Sequence, residues 1–335
     1  MDMKVSSAAL PGAPAAARWL PLPAQVNTRR IDWRYAVPVV TVHLLALLAF
    51  VPWFFSWSGV IVCVLGLYVF GTLGVNVCYH RLLAHRGYVV PRWLEHTLAI
   101  LGVCCTQDTP AHWVAVHRRH HQHSDDQEDP HSPLVNFFWG HMGWLFVENK
   151  ALGRLGVFDR YAKDLLSDKF YVKLERNWLG LKIVLASWLV FYFGGFAVEL
   201  IRGGTVTDAA QFGASILVWG AFVRTVVVWH ITWSVNSVGH RWGYRNYDTD
   251  EASTNNLIVG YLASGEGWHN NHHADPRSAR HGHRWFEFDL AYRIIRLLEI
   301  VGLAREVAQP NARIAAAAAF HESVTTRGGI DSRLD

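Results

Sequence analysis

Charged side chains are scarce in this chain. Only 17% of its 335 residues are Asp, Glu, Lys or Arg, and the formal net charge is +4. A nucleic-acid binder would cluster far more Lys and Arg, so that class is excluded. Cysteine is just as thin: Cys63, Cys78, Cys104 and Cys105 all fall in apolar runs without CxxC spacing. That pattern excludes a disulfide framework and a cysteine-type zinc site. No phosphate-cradling glycine motif is present, so a built-in nucleotide site is not expected. No solenoid-type repeat is visible. Residues 5–24 are rich in Ala and Pro and lack the unbroken apolar core of a secretion signal.

What is abundant is apolar surface. Half the residues are hydrophobic and 16 are Trp, a composition suited to lipid interfaces. Four stretches reach the roughly 20 residues that a membrane-crossing helix needs: 37–57, 59–77, 179–200 and 209–235. The first two are joined by a few residues around Ser56 to Gly59 and the last two by a short segment starting at Arg202, which predicts two tight hairpins. A fifth apolar run, Leu94 to Cys105, is too short to span and reads as a buried or interfacial helix. A soluble helical core protein would have to hide all four runs from water, which disfavours it. Lys and Arg concentrate before the first span, in the segment 80–176 and in the C-terminal third. The positive-inside rule therefore predicts that both termini and the middle segment face the cytoplasm. The expected organisation is a disordered cytosolic tail over 1–34, a membrane domain over 35–309 and a C-terminal tail over 310–335, frayed beyond Pro310.

The histidines carry the chemistry. Nineteen are present, and they cluster. His80 and His85 close the second span. His117, His120 and His121 form one HxxHH pattern; His269, His272 and His273 form another. Positions i, i+3 and i+4 share a helix face, so each HxxHH triplet is expected to aim three imidazoles at one point. One such pattern arises by chance in roughly 6% of chains at this histidine content, so two copies call for a cause. His80 and His85 would stand about 140° apart on a straight helix, which demands a local bend or two separate targets. Asn236 and His240 add an imidazole and a weak oxygen ligand just past the fourth span.

An even number of crossings separates all these residues, so they fall on one side of the membrane. Nine imidazoles are too many for one ion and suit two. Imidazole alone does not choose among zinc, copper, nickel and iron. A structural zinc is satisfied by four ligands, usually including Cys, whereas two ions with open positions suit oxygen activation. A membrane metal transporter or sensor is the rival class; it predicts ligands inside the spans, and nearly all of these lie outside.

The stretches His80 to His85, HRRHHQHSDDQEDPH (117–131), NSVGH (236–240) and GEGWHNNHH (265–273) together resemble the membrane fatty acyl desaturases of the stearoyl (Δ9) type, over about residues 35–305. The resemblance implies an all-α integral membrane fold, with four transmembrane helices under a cytosolic helical cap that holds a dimetal site. It implies two iron ions ligated by His80, His85, His117, His120, His121, His240, His269, His272 and His273, with Asn236 secondary. It implies an O₂-dependent oxidoreductase that inserts a cis double bond into a long acyl chain; a hydroxylase or acetylenase on the same scaffold is the alternative that product analysis separates. Such chemistry needs a metal oxidant rather than a general base, and its positional selectivity needs a tunnel that fixes the chain. Tyr68 and Thr72 on the second span, and Trp113 before the second cluster, are the candidate substrate residues.

The charged pair that animal acyl-CoA desaturases carry before the second cluster is missing; Ala115 and Val116 stand there. GEGWHNNHH and Ser278 to Gly282 look more like the plant, cyanobacterial and bacterial branch. The carrier is therefore open among CoA, glycerolipid and acyl carrier protein. No haem-binding extension is present, so a separate donor such as a ferredoxin or cytochrome is implied, with Arg86, Arg118 and Arg119 as a candidate docking surface. His43 and His230 read as hydrogen-bonded residues of the spans, although an intramembrane ionisable group always raises a functional question. His123, His131, His141, His281 and His283 read as partners that orient ligands, as do Asp125, Glu128, Asp129 and Glu266. His96, His112 and His321 carry no signal. Phe286 to Leu303 reads as an amphipathic cap helix.

Overall fold

The computed structural model describes residues 19–311. Four helices are long and apolar enough to cross a membrane: Trp33–Phe50, Trp57–Ala84, Leu179–Ile201 and Val206–Ser237. They are the four expected spans, with shifted ends. Asp32 caps the first by accepting from Arg34 N at 3.2 Å, which starts it ahead of the expected 37. Tight turns at Leu47–Phe50 and Pro52–Phe54 stop it early and reverse the chain. Ser56 caps the second span through Gly59 N. Thr205 and Asp208 form a reciprocal capping box that starts the fourth. The fourth is the most enclosed of the spans, while the first and third leave most of their side chains facing outward, toward lipid.

The second span runs on to Ala84, seven residues past the expected 77. Over Leu67–Ala84 its hydrogen bonding widens to the i→i+5 pattern of a π-helix. The last such bond joins His85 N to His80 O at 3.1 Å. This settles the spacing problem of those two histidines. In a π-turn a residue five places on stands nearly above the first, and the two rings lie 4.8 Å apart. Close packing helps fix the span: a Cβ at Gly74 would fall 2.4 Å from the backbone nitrogen of Gly102, on the buried helix Arg92–Val103 that the fifth apolar run forms.

The remaining helices build a cap on one end of the spans. Pro110–His123 carries the first HxxHH and His269–Ala274 the second. Arg81, fully buried, pins the end of the second span to the cap. It donates to Glu266 Oε1 at 3.0 Å, to Asp289 Oδ2 at 2.9 Å and to the Ala279 carbonyl at 2.7 Å. Arg118 donates to the carbonyls of Leu83 and Ala84, which the helix end leaves without a partner in the helix. Helix Leu290–Ile300 supplies the amphipathic element expected there.

One β-pairing stands apart from the helices. Strand Val26–Ile31, inside the segment expected to be a tail, pairs antiparallel with Val147–Asn149 of the cap. The ordered chain therefore extends well before residue 35. Residues 1–18, and the C-terminal tail beyond residue 311, lie outside the described residues.

Candidate metal centre

The cap brings all nine candidate histidines together in two groups. Ring nitrogens of His80, His85, His117, His121 and His272 lie within 4.8 Å of one another, and so do those of His120, His240, His269 and His273. Each HxxHH triplet is therefore split rather than aimed at one point. On a helix, i and i+4 nearly eclipse while i+3 stands to one side. His117 and His121 thus go to the first group and His120 crosses to the second; His269 and His273 go to the second and His272 crosses to the first.

Within the groups the rings meet nitrogen to nitrogen. Nε2 of His85 and His117 are 2.8 Å apart, those of His121 and His272 3.0 Å, and those of His80 and His272 3.1 Å. In the second group Nε2 of His240 and His269 are 2.9 Å apart, and those of His269 and His273 3.1 Å. His120 Nε2 is buried without a hydrogen-bond partner. Burial, followed by the charge of neighbouring imidazoles, drives His85, His117, His121, His269, His272 and His273 well below the usual histidine range. They are neutral and present lone pairs. Buried, converging lone pairs with an orphaned ring nitrogen among them fit metal ions.

Carboxylates turn the rings the right way round. Asp129 takes His120 Nδ1 at 3.0 Å to both oxygens. Asp125 takes His240 Nδ1 at 2.7 Å. Glu266 Oε2 lies 2.6 Å from His80 Nδ1 and 3.2 Å from His281 Nδ1. Each such contact leaves Nε2 to face the group. Burial lowers His240, but the adjoining Asp125 charge outweighs it and lifts His240 to about 9. Asp125 itself sits at φ 56°, a left-handed conformation that aims its carboxylate while it also accepts from Ser132 and Ala252 N.

Two asparagines seat the second triplet. Asn270 accepts from the backbone of Asn246 and Tyr247, and Asn271 bonds Asn255, Glu287 and the His281 carbonyl. Glu251, which the sequence did not single out, lies 3.7 Å from His240 Nδ1 and 3.8 Å from His273 Nδ1; nothing in its polar surroundings announces it. Arg81 escaped notice because its partners, Glu266 and Asp289, are far from it in the sequence. Glu128, expected beside a ligand, pairs with Arg119 instead, because it lies on the outer side of that helix end. Arg86 and Arg118 both engage Asp164, so the candidate docking surface is largely neutralised by its own carboxylates. His112 engages Asp108 at 2.7 Å despite carrying no sequence signal. His141 contacts Ser237 and His230, and His283 contacts Tyr247, so neither orients a clustered ring.

A cavity borders the centre, lined by Trp113, His117, His131, Trp229, Trp233 and Asn236 among others. A second shares Tyr35, Val39, Thr106, Asp108 and Trp229 with it, and opens past Pro38, Trp178, Leu181 and Val184 between the first and third spans. Trp113 and Asn236 thus face the space beside the centre. Tyr68 stands half exposed on the outer side of the second span, and Thr72 is buried against Ser264 at 2.8 Å; neither lines these two cavities.

Four membrane-length helices under a cap of clustered, carboxylate-oriented histidines define an integral membrane protein with a histidine-rich centre capable of binding metal. Residues 55–299 match the family model for fatty acid desaturases. The chain is 40% identical over 278 residues to an sn-1 stearoyl-lipid 9-desaturase of Anabaena variabilis, covering 83% of this chain and 94% of that one. It is 39% identical over 284 residues to a chloroplastic palmitoyl-monogalactosyldiacylglycerol delta-7 desaturase of Arabidopsis thaliana, covering 84% and 70%. It is 37% identical over 299 residues to an acyl-CoA C20 Delta5-desaturase of Anemone leveillei, covering 87% and 89%. The chain belongs to the fatty acid desaturase family and is an oxidoreductase of fatty acyl chains.

Proposed function

We propose that this enzyme uses O₂ to insert a cis double bond, of the Δ9 type, into an acyl chain carried on a membrane glycerolipid. The observation that carries the reading is the convergence of nine imidazoles in two groups, with His117 of the five-membered group on the wall of the adjoining cavity. Both groups would hold iron, five imidazoles for one ion and four for the other, with Asn236 beside them. Iron bound there supplies the one-electron oxidising power that breaks an unactivated C–H bond with O₂. The net change removes two vicinal hydrogens and consumes one O₂, two electrons and two protons to give an alkene and two waters.

The protein's own part is positional. Trp113, Trp229 and Trp233 wall the cavity with flat apolar surface that excludes water and holds an extended chain against His117 and Asn236. Asp125, Asp129 and Glu266 keep Nδ1 protonated and Nε2 free. An opening beside Leu181 and Val184 admits a lipid sideways from the bilayer, which favours a glycerolipid carrier over CoA or a carrier protein. The electrons come from a separate donor such as a ferredoxin or cytochrome. Arg29 and Arg30 ahead of the first span, and Arg34 in its first turn, favour a cytoplasmic cap and termini.

Expression in a desaturase-deficient host, with fatty acids from each lipid class analysed by gas chromatography–mass spectrometry beside a His120→Ala control, tests this. A new monounsaturated acid in glycerolipids that the control lacks supports it. A hydroxy or alkynyl product, or unsaturation confined to the acyl-CoA pool, overturns the reaction or the carrier.

A further inference from the structure

Two histidines of the spans and one of the cap stand outside the nine. His43 Nε2 faces His230 Nε2 at 3.1 Å, and His230 Nδ1 faces His141 Nε2 at 2.9 Å. His43 Nδ1 lies 2.7 Å from the Val39 carbonyl. His141 Nδ1 lies 2.9 Å from Ser237 Oγ, and the Ser237 hydroxyl donates to the Trp233 carbonyl at 2.8 Å.

A neutral imidazole has one N–H. A carbonyl only accepts, so the His43 proton sits on Nδ1. The Ser237 proton is committed to Trp233, so Ser237 Oγ accepts from His141 Nδ1–H. His141 Nε2 is then bare and takes the His230 Nδ1–H. Nε2 of His43 and Nε2 of His230 are left bare, lone pair against lone pair. At 3.1 Å that contact is repulsive unless a cation lies in it. The arrangement matches the ring-nitrogen contacts of the nine-histidine centre, with a backbone carbonyl and a His–Ser relay in place of its carboxylates.

We propose that His43 and His230 form a further metal site, for one zinc-like divalent ion, and that His141 is a positioning residue that holds His230 in the ligating tautomer. At a Zn–N distance of about 2.05 Å, nitrogens 3.1 Å apart subtend about 98° at the ion, near a tetrahedral angle and far from a linear one. No ion pair links any of the three histidines to a carboxylate among the described residues, so the donors are imidazole alone, which suits zinc and disfavours calcium or magnesium. All three rings are half-buried. Trp233 packs on all three, with ring centroids 6.3, 5.8 and 5.2 Å from His43, His141 and His230. Trp233 also lines the cavity beside the centre. A bound ion ties the first span to the fourth at that wall.

The test is a metal count on the purified full-length enzyme carrying its own metal, after equilibration with zinc and removal of free ion. Wild type is expected to hold one zinc per chain more than His43→Phe or His230→Phe, with its native metal content unchanged, and zinc is expected to raise the thermal midpoint of wild type alone. His141→Phe is expected to weaken the extra zinc on the order of tenfold. His43→Gln, which keeps a polar side chain of similar reach, serves if a phenylalanine variant fails to fold. Equal zinc in wild type and variants overturns the site. So does a thermal midpoint that follows pH through His230 and ignores zinc, which assigns the gap to a proton.

Discussion

The two histidine groups of the centre are close neighbours built on opposite electrostatic plans. The five-membered group has a single carboxylate in contact, Glu266 on His80, and that carboxylate is itself answered by the buried Arg81. The four-membered group has three: Asp129 on His120, Asp125 on His240, and Glu251 near His240 and His273. One plan gathers more neutral donors; the other gathers fewer donors and more negative charge. The second group is thus the better match for a higher local positive charge, and the first relies on ligand number.

The largest expected effect tests whether the groups are separate at all. His120 and His121 are adjacent in sequence but belong to different groups. Replacing either with Ala is expected to lower product on the order of a hundredfold or more. Each is expected to lose one metal ion per chain by elemental mass spectrometry. If either variant loses both ions together, the groups act as one unit and the contrast fails.

Arg81→Met comes next. It leaves Glu266 and Asp289 buried and unpaired, which is expected to lower stability by about 3–5 kcal/mol. A denaturation midpoint in detergent would show it, with the five-membered group losing its metal first because Glu266 is freed from its brace. A midpoint within a degree of wild type would contradict this.

Asp125→Asn and Glu266→Gln then compare the plans directly. Each is expected to weaken metal at its own group by about 10–100-fold, read by competition with a chelator. Acidity sharpens the contrast. In the metal-free chain His240 holds a proton up to about 9, whereas burial keeps His85, His117, His121 and His272 unprotonated at neutral pH. Loading the four-membered group must expel that proton, so its affinity is expected to climb about tenfold per pH unit between 7 and 9, while the other group stays flat. For the metal-free fold the sign is opposite. The raised His240 stabilises it fully below about 6.5, and that contribution is lost as pH rises through about 9. The smallest expected effect is at Tyr68, whose half-exposed ring lines neither cavity: Tyr68→Phe is expected to change rate and product chain length by less than about twofold.

Much of this was legible in the sequence. Four apolar runs gave four membrane-length helices, because a bilayer-length segment has few other folds open to it. The histidine spacings picked out the nine rings that the fold brings together. They did not give its partition, because helical spacing says which residues share a face and not how two facing helices exchange members. The widened turn at His80 was visible only as a misfit of about 140°. Glu251 and Arg81 were hidden because their partners are close only in three dimensions.

The i→i+5 geometry of the second span has a consequence for how such a chain can change over generations. Substitutions on the lipid side of Leu67–Ala84 leave the histidine pair where it is. Removing a single residue between His80 and His85 lets the ordinary helical repeat return there with the two histidines at i and i+4, about 40° apart, so the pair keeps its shared face. The segment therefore has slack for one residue where its turn is widened, and longer insertions and deletions in relatives are expected to fall in the hairpin turns instead.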